Sequence, residues 1–393
     1  MAHMNIRTKR PLPNKPARRM SPASSSSRAR RMKDYLMGRQ AGAALGWKHG
    51  YWQGRCEAVV QASTPPIARR PLHVLYITSG KGYPYSPLDE GIYTTLQQLA
   101  ERVTLVSPLD NVAAIAAETR PDLALVLDGM EMPPHQIVQL RSQGTRTAVW
   151  FTDDPYYTDL TSSLAPLYDL VFTLERNCIP FYEQLGCQHV YYMPLGVFPG
   201  YFRPRNPRLS LRGDICFIGT AYWNRVGLFQ ELLPRLAPRS FRISGIWWDR
   251  LADYGRWKNQ IELGKWMDPL ETAEYYNAHR IVINVHRAHD DETFNKNAAG
   301  ITAASPNPRS FEISACGTLQ LVDHREDIAL FYTPGEEIVT YQSAEELADK
   351  LDYYLNHEEE REAIALRALQ RTMRDHTYTS RLSQILDLAM VPL

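Results

Sequence analysis

Two rhythms of apolar and polar residues divide the chain. From residue 73 onward, short continuous apolar runs alternate with amphipathic stretches. The runs at 73–78, 103–106, 122–127, 147–151, 169–173 and 189–193 predict strands, and the stretches near 88–101, 111–118 and 133–142 predict helices. A pause rich in Pro and Arg covers 199–213. Strands are then predicted at 214–218, 241–246, 280–285, 318–322 and 337–341, with helices at 224–236, 270–278 and 308–316. Helices near 343–356, 358–372 and 377–389 close the sequence. Continuous apolar strands separated by helices predict parallel sheets covered on both faces. The expected fold is therefore α/β. It has two Rossmann-like, doubly wound domains, 71–205 and 206–372, facing a cleft, and a last helix within 373–393 packing back on the first domain. Ligands of such folds sit outside the carboxyl ends of the strands.

A different rhythm precedes residue 71. Gly38, Gly42, Gly46, Gly50 and Gly54 recur every fourth residue, among Tyr35, Trp47, Tyr51 and Trp52. In a helix this spacing lays a slowly winding bare stripe along one side, where another backbone can approach closely. The same glycines suit a flexible linker, because each costs ~1 kcal/mol in a helix relative to Ala. Residues 34–70 are thus a helix or a linker, and 34–60, if helical, form a surface for self-association or surface docking. Residues 1–33 are rich in Pro, Ser and Arg and poor in large apolar groups, which predicts a basic disordered tail.

Charge sharpens this division. The totals of 44 basic and 43 acidic residues conceal 15 basic and two acidic over 1–70, against 29 basic and 41 acidic beyond. A uniformly basic nucleic-acid binder is excluded, and no specific nucleic-acid partner is expected. No run of 18 apolar residues occurs, so no membrane span is expected. The N-terminal charges precede no apolar leader segment, although the Arg- and Ser-rich start shares the composition of an organelle transit peptide. Cysteines 56, 178, 187, 216 and 316 lack C-x-x-C spacing, which suits reduced thiols in a cytoplasmic protein and no structural zinc.

The segment from Asn307 to Asp323 carries the densest chemistry. Asn307 is a good N-cap, Pro308 suits the first helical position, and Gly317 suits the residue just past the helix end. Free N–H groups there, with Arg309 beside them, would make an anion site suited to a diphosphate. Glu312, one turn further in, could accept from a ribose diol. The plainer alternative is a capped surface helix with Arg309 and Glu312 as an i,i+3 ion pair.

From residue 309 onward the chain resembles the C-terminal part of the CgeB-type spore-protein glycosyltransferases, members of the GT-B class. The resemblance rests on Arg309-Ser-Phe-Glu-Ile-Ser-Ala-Cys-Gly-Thr318 and Phe331-Tyr-Thr-Pro-Gly-Glu-Glu-Ile-Val-Thr-Tyr341. Ser343 to Leu347, Tyr353-Tyr354-Leu355, Glu360-Arg361 and His376-Thr377-Tyr378 follow in the family's order. Upstream, Phe217-Ile-Gly219-Thr220 and Ile283-Asn-Val-His286 also fit, and Asp153-Asp154-Pro155 fits more loosely, so the similarity spans roughly 73–390. Retaining GT-B enzymes bind the donor with a Glu-x7-Glu motif. Glu312 resembles the second Glu, whereas the first would fall on Ala304, which leaves the stereochemical outcome open.

The resemblance implies a GT-B fold and a glycosyltransferase moving sugar from a nucleotide-diphosphate sugar to a glycan or protein acceptor at a cell or spore surface. It implies no cofactor beyond that donor and no metal. Gly219 and Thr220 resemble the family's glycine loop, where the backbone approaches phosphate, and Arg225 would neutralise it. Asp153 or Asp154, at a ligand-facing strand end, is the expected general base for an acceptor hydroxyl, with Asp128 as a second candidate; both acids of the pair would alternatively serve a turn and helix cap. The polar loop 287–307, bordered by His286, Arg287, Lys296 and Asn297, is expected to close over substrate, and His286 itself reads as a strand-end residue. Trp247, Trp248, Trp257 and Trp266 could form platforms that stack on sugar or base faces, with core packing as the default reading. The expected location is cytoplasmic, with recruitment to a spore or cell surface. The competing readings are a sugar-nucleotide epimerase or hydrolase on the same architecture, and a non-catalytic assembly protein that kept the fold.

Overall fold

The computed structural model describes residues 23–392, and the disorder expected for residues 1–22 lies outside them. The chain divides into two compact units, Met1–Trp52 and Gln53–Leu393. Helix α1 (Ala23–Ser63) begins earlier than the sequence pattern suggested and includes residues 23–33, which were expected to be disordered. Good helix formers such as Ala41, Ala43, Ala44 and Leu45 alternate with the glycines and offset their entropic cost. In the first unit Trp47 stacks on Tyr51 one turn away, ring centroids 5.3 Å apart. The final turns of α1 belong to the second unit. There Gln53 Nε2 donates to Pro204 O at 3.1 Å, and Cys56 is fully buried beside Gly317. Among the described residues no helix is long and apolar enough to cross a membrane.

The second unit opens with β1 (Arg70–Ile77), α2 (Ser86–Leu99), β2 (Ala100–Val106), α3 (Val112–Thr119), β3 (Leu123–Leu127) and α4 (Pro134–Ser142). It continues through β4 (Arg146–Trp150), α5 (Thr158–Thr161), β5 (Leu170–Thr173), α6 (Ile179–Gln184) and β6 (Val190–Tyr192). These six strands form one parallel sheet in the order β2-β1-β3-β4-β5-β6. Side chains alternate across it, as strand geometry requires. Val74, Tyr76, Trp150 and Phe172 enter one core, while Leu75, Ile77, Val149 and Val171 enter the other. Burial on both faces is why these strands read as unbroken apolar runs.

The second sheet is built from β7 (Gly213–Ile218), α7 (Trp223–Leu236), β8 (Phe241–Gly245), α8 (Tyr254–Trp257), β9 (Ile261–Leu263) and α9 (Pro269–Ala278). Next come β10 (His279–Asn284), α10 (Arg309–Ala315), β11 (Leu319–Asp323), α11 (Ile328–Phe331) and β12 (Val339–Tyr341). Helices α12 (Ala344–Asn356), α13 (Glu358–Asp375) and α14 (Tyr378–Met390) follow. The strand order is β12-β11-β10-β7-β8-β9, again all parallel. The short edge strand β9 is absent from the sequence reading, because Glu262 interrupts its only apolar residues.

The chain then recrosses. Val197 bridges Thr377, and Leu382, Ile385 and Leu386 of α14 join Ile92, Leu96 and Leu99 of α2 in the core of the first sheet. The N-terminal domain therefore includes the C-terminal helix. In each sheet the strand order reverses beside the first strand, between β1 and β3 and between β7 and β10. Those switch points open crevices at the carboxyl ends of the strands.

Candidate functional site

A cavity lies between the two domains, with about 920 Å³ of empty space including its open mouth. The loop after β1 contributes Tyr83 and Pro84, the loop after β7 contributes Gly219 and Thr220, the end of β8 contributes Gly245, and α10 contributes Arg309 and Glu312. The β7 loop depends on one glycine outside itself. At Gly245, with φ of 149°, a Cβ would stand 2.1 Å from Gly219 O, so only glycine lets β8 end so close. Gly219 O accepts Trp248 Nε1–H at 2.9 Å and Gly219 N–H is donated to Ser244 O, which fixes the loop from behind.

Gly219 lies between two guanidinium groups. A Cβ built on it would be 3.1 Å from Arg225 and 3.1 Å from Arg309. The two arginines differ in what they do. Arg225 is buried at 2% exposure, donating to Thr220 O at 2.9 Å and Val285 O at 2.7 Å, with its Nε unpartnered. Burial, helped by Arg309, lowers its pKa to about 9. It braces the loop from behind instead of lining the cavity, which corrects its expected direct contact with phosphate. Arg309 lines the cavity, and its guanidinium enters no hydrogen bond or ion pair among the described residues. Glu312 lines it too, and no ion pair joins Glu312 to Arg309 among the described residues, so the surface-pair alternative fails. Burial raises the Glu312 carboxyl to about 7, against the pull of Arg309.

The start of α10 differs from expectation in one respect. Asn307 Oδ1 does accept the Ser310 N–H at 3.2 Å, and Gly317 takes left-handed φ of 70° past the helix end. The Ser310, Phe311 and Glu312 N–H groups are already donated to Asn307 O and Pro308 O. They are not open to an anion, and the carboxamide of Asn307 faces Asn284 and Ser310 rather than the cavity. What α10 presents to a ligand is side chains.

The acidic candidates separate cleanly. Asp154 is buried at 1% exposure, accepting from Thr173 Oγ1 at 2.6 Å and Tyr182 OH at 2.8 Å, and burial raises its pKa to about 7. Both oxygens are committed to the core, so it cannot serve as base. Asp153 is half-buried, accepts from Tyr85 OH at 2.8 Å through Oδ2, and has no protein partner on Oδ1 among the described residues. Burial and the neighbouring Asp128 push its pKa up, against Tyr85, Lys81 and Arg287. Asp128 is fully buried and holds Lys81 Nζ at 2.6 Å and Thr152 Oγ1 at 2.8 Å.

The loop 287–307 is fastened to the first domain. Lys296 N donates to Tyr156 O at 2.7 Å, Thr158 Oγ1 to Asn297 Oδ1 at 3.0 Å, and Asn177 Nδ2 to Thr302 O at 3.0 Å. Glu175 Oε2 accepts the N–H groups of both Ala304 and Ser305 at 3.1 Å. The segment is a strut between the domains, not a free lid. Of the tryptophans, Trp248 and Trp257 are buried as expected. Trp247 stacks on Phe294 at 4.7 Å, and Trp266 is half-exposed at the cavity lip, so neither is core. His286 is a strand-end residue as expected, two positions past β10, but sequence reasoning missed its partner Asp323, which it meets at 2.6 Å behind Asn307.

Residues 225–387 match the family model described as glycosyl transferase-like. The fold is similar to Anabaena HepE in complex with UDP and glucose, with TM-score 0.57 and 11% identity, covering 81% of this chain and 99% of that one. It is also similar to sucrose-phosphate synthase from Thermosynechococcus elongatus, with TM-score 0.55 and 11% identity, covering 81% and 98%. Family match and paired Rossmann-like sheets together define a glycosyltransferase of the GT-B class. Sequence narrows the class, since the chain is 30% identical over 310 residues to spore protein CgeB of Bacillus subtilis (strain 168), covering 78% of this chain and 95% of that protein. The chain belongs to the CgeB family.

Proposed function

We propose that this enzyme transfers a glycosyl group from a nucleotide-diphosphate sugar to a glycan or protein acceptor at a spore or cell surface. The observation that carries the reading is Arg309. Its guanidinium stands beside Gly219 on the cavity wall with no acidic partner among the described residues. A cation left unpaired in a crevice at a strand-order switch point suits a diphosphate, whose leaving charge it would stabilise. Arg225 adds a second positive charge from behind, so the charge of the departing diphosphate is met without a metal ion. Glu312 would accept from the donor's ribose. Asp153, just past the end of β4 and outside the lining of that cavity, would take the proton of the acceptor hydroxyl through its open Oδ1 as the hydroxyl attacks the anomeric carbon. The complex of HepE with UDP and glucose supports this class of donor, and the name of the CgeB relative, a spore protein, supports a destination at the spore.

The test is release of nucleotide from a panel of nucleotide sugars, with and without acceptor. Acceptor-dependent release is expected, and Arg309→Ala should lower it about 100-fold or more while thermal unfolding stays unchanged. Full turnover in that variant would refute the assignment. Release without acceptor would indicate hydrolysis, and an epimerised donor would indicate isomerisation.

A further inference from the structure

Strand β10 ends at Asn284, and the next two residues reach Arg225 directly and the turn that leads into Arg309. Val285 O accepts Arg225 Nη2 at 2.7 Å, and His286 O accepts Asn224 Nδ2 at 2.9 Å. His286 Nε2 accepts the backbone N–H of Asn307 at 3.1 Å, two residues ahead of Arg309. An amide N–H can only donate, so Nε2 must be bare. The ring proton is then on Nδ1 and is donated to Asp323 Oδ1 at 2.6 Å, which also takes the His286 backbone N–H at 2.8 Å. An imidazolium has no acceptor and could not hold Asn307.

We propose that His286 and Asp323 form a positioning dyad for the donor site, in which the neutral Nδ1–H tautomer of His286 holds Asn307, and through it Arg309 and Glu312, in register with the β7 loop. The dyad rests on the donor reading above only for its consequence. Its geometry stands independently. The charged groups acting on the ring are Asp323 at the end of β11, Arg325 beyond it and Arg225 of α7, while Tyr341 of β12 donates its OH to Asn284 O at the end of β10. Burial lowers the pKa of His286, and Arg325 and Arg225 lower it further, against Asp323. As pH falls through that lowered value, Nε2 gains a proton that opposes the Asn307 N–H, and donor affinity is lost on the acid side. Asn284 reinforces the same junction through a reciprocal amide pair with Asn307, at 2.9 and 3.1 Å, which does not titrate.

The experiment has two arms. In the first, UDP, GDP, ADP and dTDP are screened by thermal shift against the full chain, and the best binder is titrated calorimetrically between pH 5 and 8. Wild type should lose affinity as pH falls. His286→Ala should bind about tenfold more weakly at pH 7.5, the effect of leaving one amide unpaired. His286→Gln offers an Oε1 acceptor that cannot titrate. It should stay within about threefold of wild type at pH 7.5 and show a smaller acid fall, the remainder belonging to Glu312, which titrates near 7 in the same site. Asp323→Asn keeps an acceptor but removes the charge that raises the ring's pKa, and should move the acid fall to lower pH. A His286→Gln protein as weak as His286→Ala, or one whose acid fall equals that of wild type, overturns the dyad. The second arm needs no nucleotide. Histidine 15N NMR of the full chain, with the His286 signal assigned by its loss in His286→Gln, should show Nδ1 protonated and Nε2 bare at pH 7. An imidazolium or an Nε2–H tautomer overturns the dyad. A panel with no binder counts against the donor reading, and the NMR arm still decides the dyad.

Discussion

At the carboxyl ends of the first sheet, Asp89 accepts from Tyr76 OH, Ser79 N–H and Ser79 Oγ, and Asp154 accepts from Thr173 and Tyr182. Glu175 takes the backbone N–H groups of Asn177, Ala304 and Ser305, and Asp128 holds Lys81. At the ends of the second sheet, Arg309 and Glu312 face the same cavity with no side-chain partner among the described residues. Asp153 apart, the first wall uses these charged groups to hold its own loops, whereas α10 in the second leaves Arg309 and Glu312 open to a ligand. The difference teaches that a buried acid at a strand end identifies a site only when its hydrogen-bonding capacity is unfilled.

The sharpest way to break this comparison uses the two adjacent aspartates. Asp153→Asn should reduce acceptor-dependent turnover by about 100-fold or more, the usual effect of removing a general base, with unchanged melting. Asp154→Asn should do the reverse, lowering stability by about 1–3 kcal/mol while the folded fraction turns over normally. If the two variants behave alike in paired kinetic and denaturation measurements, the division between open and filled groups is wrong.

Glu312→Gln probes the opposite wall with the opposite sign. Folding raises the Glu312 pKa from 4.5 to about 7, so the folded protein binds more protons between those values. Its contribution to stability is fully present below about pH 4.5 and is lost as pH rises through 7. The neutral amide avoids that loss, so Glu312→Gln should be more stable at pH 8 by about 1–3 kcal/mol, discounted for access of solvent through the cavity, while binding donor more weakly. Urea melts at pH 5 and 8 would show the gain only at the higher pH, and an equal effect at both would contradict it. The smallest effect belongs to the first unit: deletion of residues 1–33 should leave turnover on a soluble acceptor unchanged and alter only localisation or assembly. Turnover that falls with the truncation would tie this segment to the chemistry.

Much of this was legible along the chain because the information is local. Val74 to Ile77 and Leu123 to Leu127 announce themselves as strands buried on both faces, and Asn307, Pro308 and Gly317 delimit α10 by their own backbone preferences. Arg309 and Glu312 were readable because their family motif is contiguous. The partnership of His286 with Asp323 spans 37 positions and that of Glu175 with Ala304 spans 129, and no periodicity encodes either. The strut character of 287–307 was hidden for the same reason, since a polar loop with distant partners has the composition of a mobile one. Asp154 misled because its type suits catalysis and only its surroundings, Thr173 and Tyr182, disqualify it.

The return of α14 to the first sheet sets an order in time. The face that Leu382, Ile385 and Leu386 cover against Ile92, Leu96 and Leu99 is made before the second domain, but its cover is made after it. On the ribosome the N-terminal domain therefore emerges with an apolar flank bare until the whole second domain has been translated. Domains that emerge first usually fold first; this one is completed only after the second has been made.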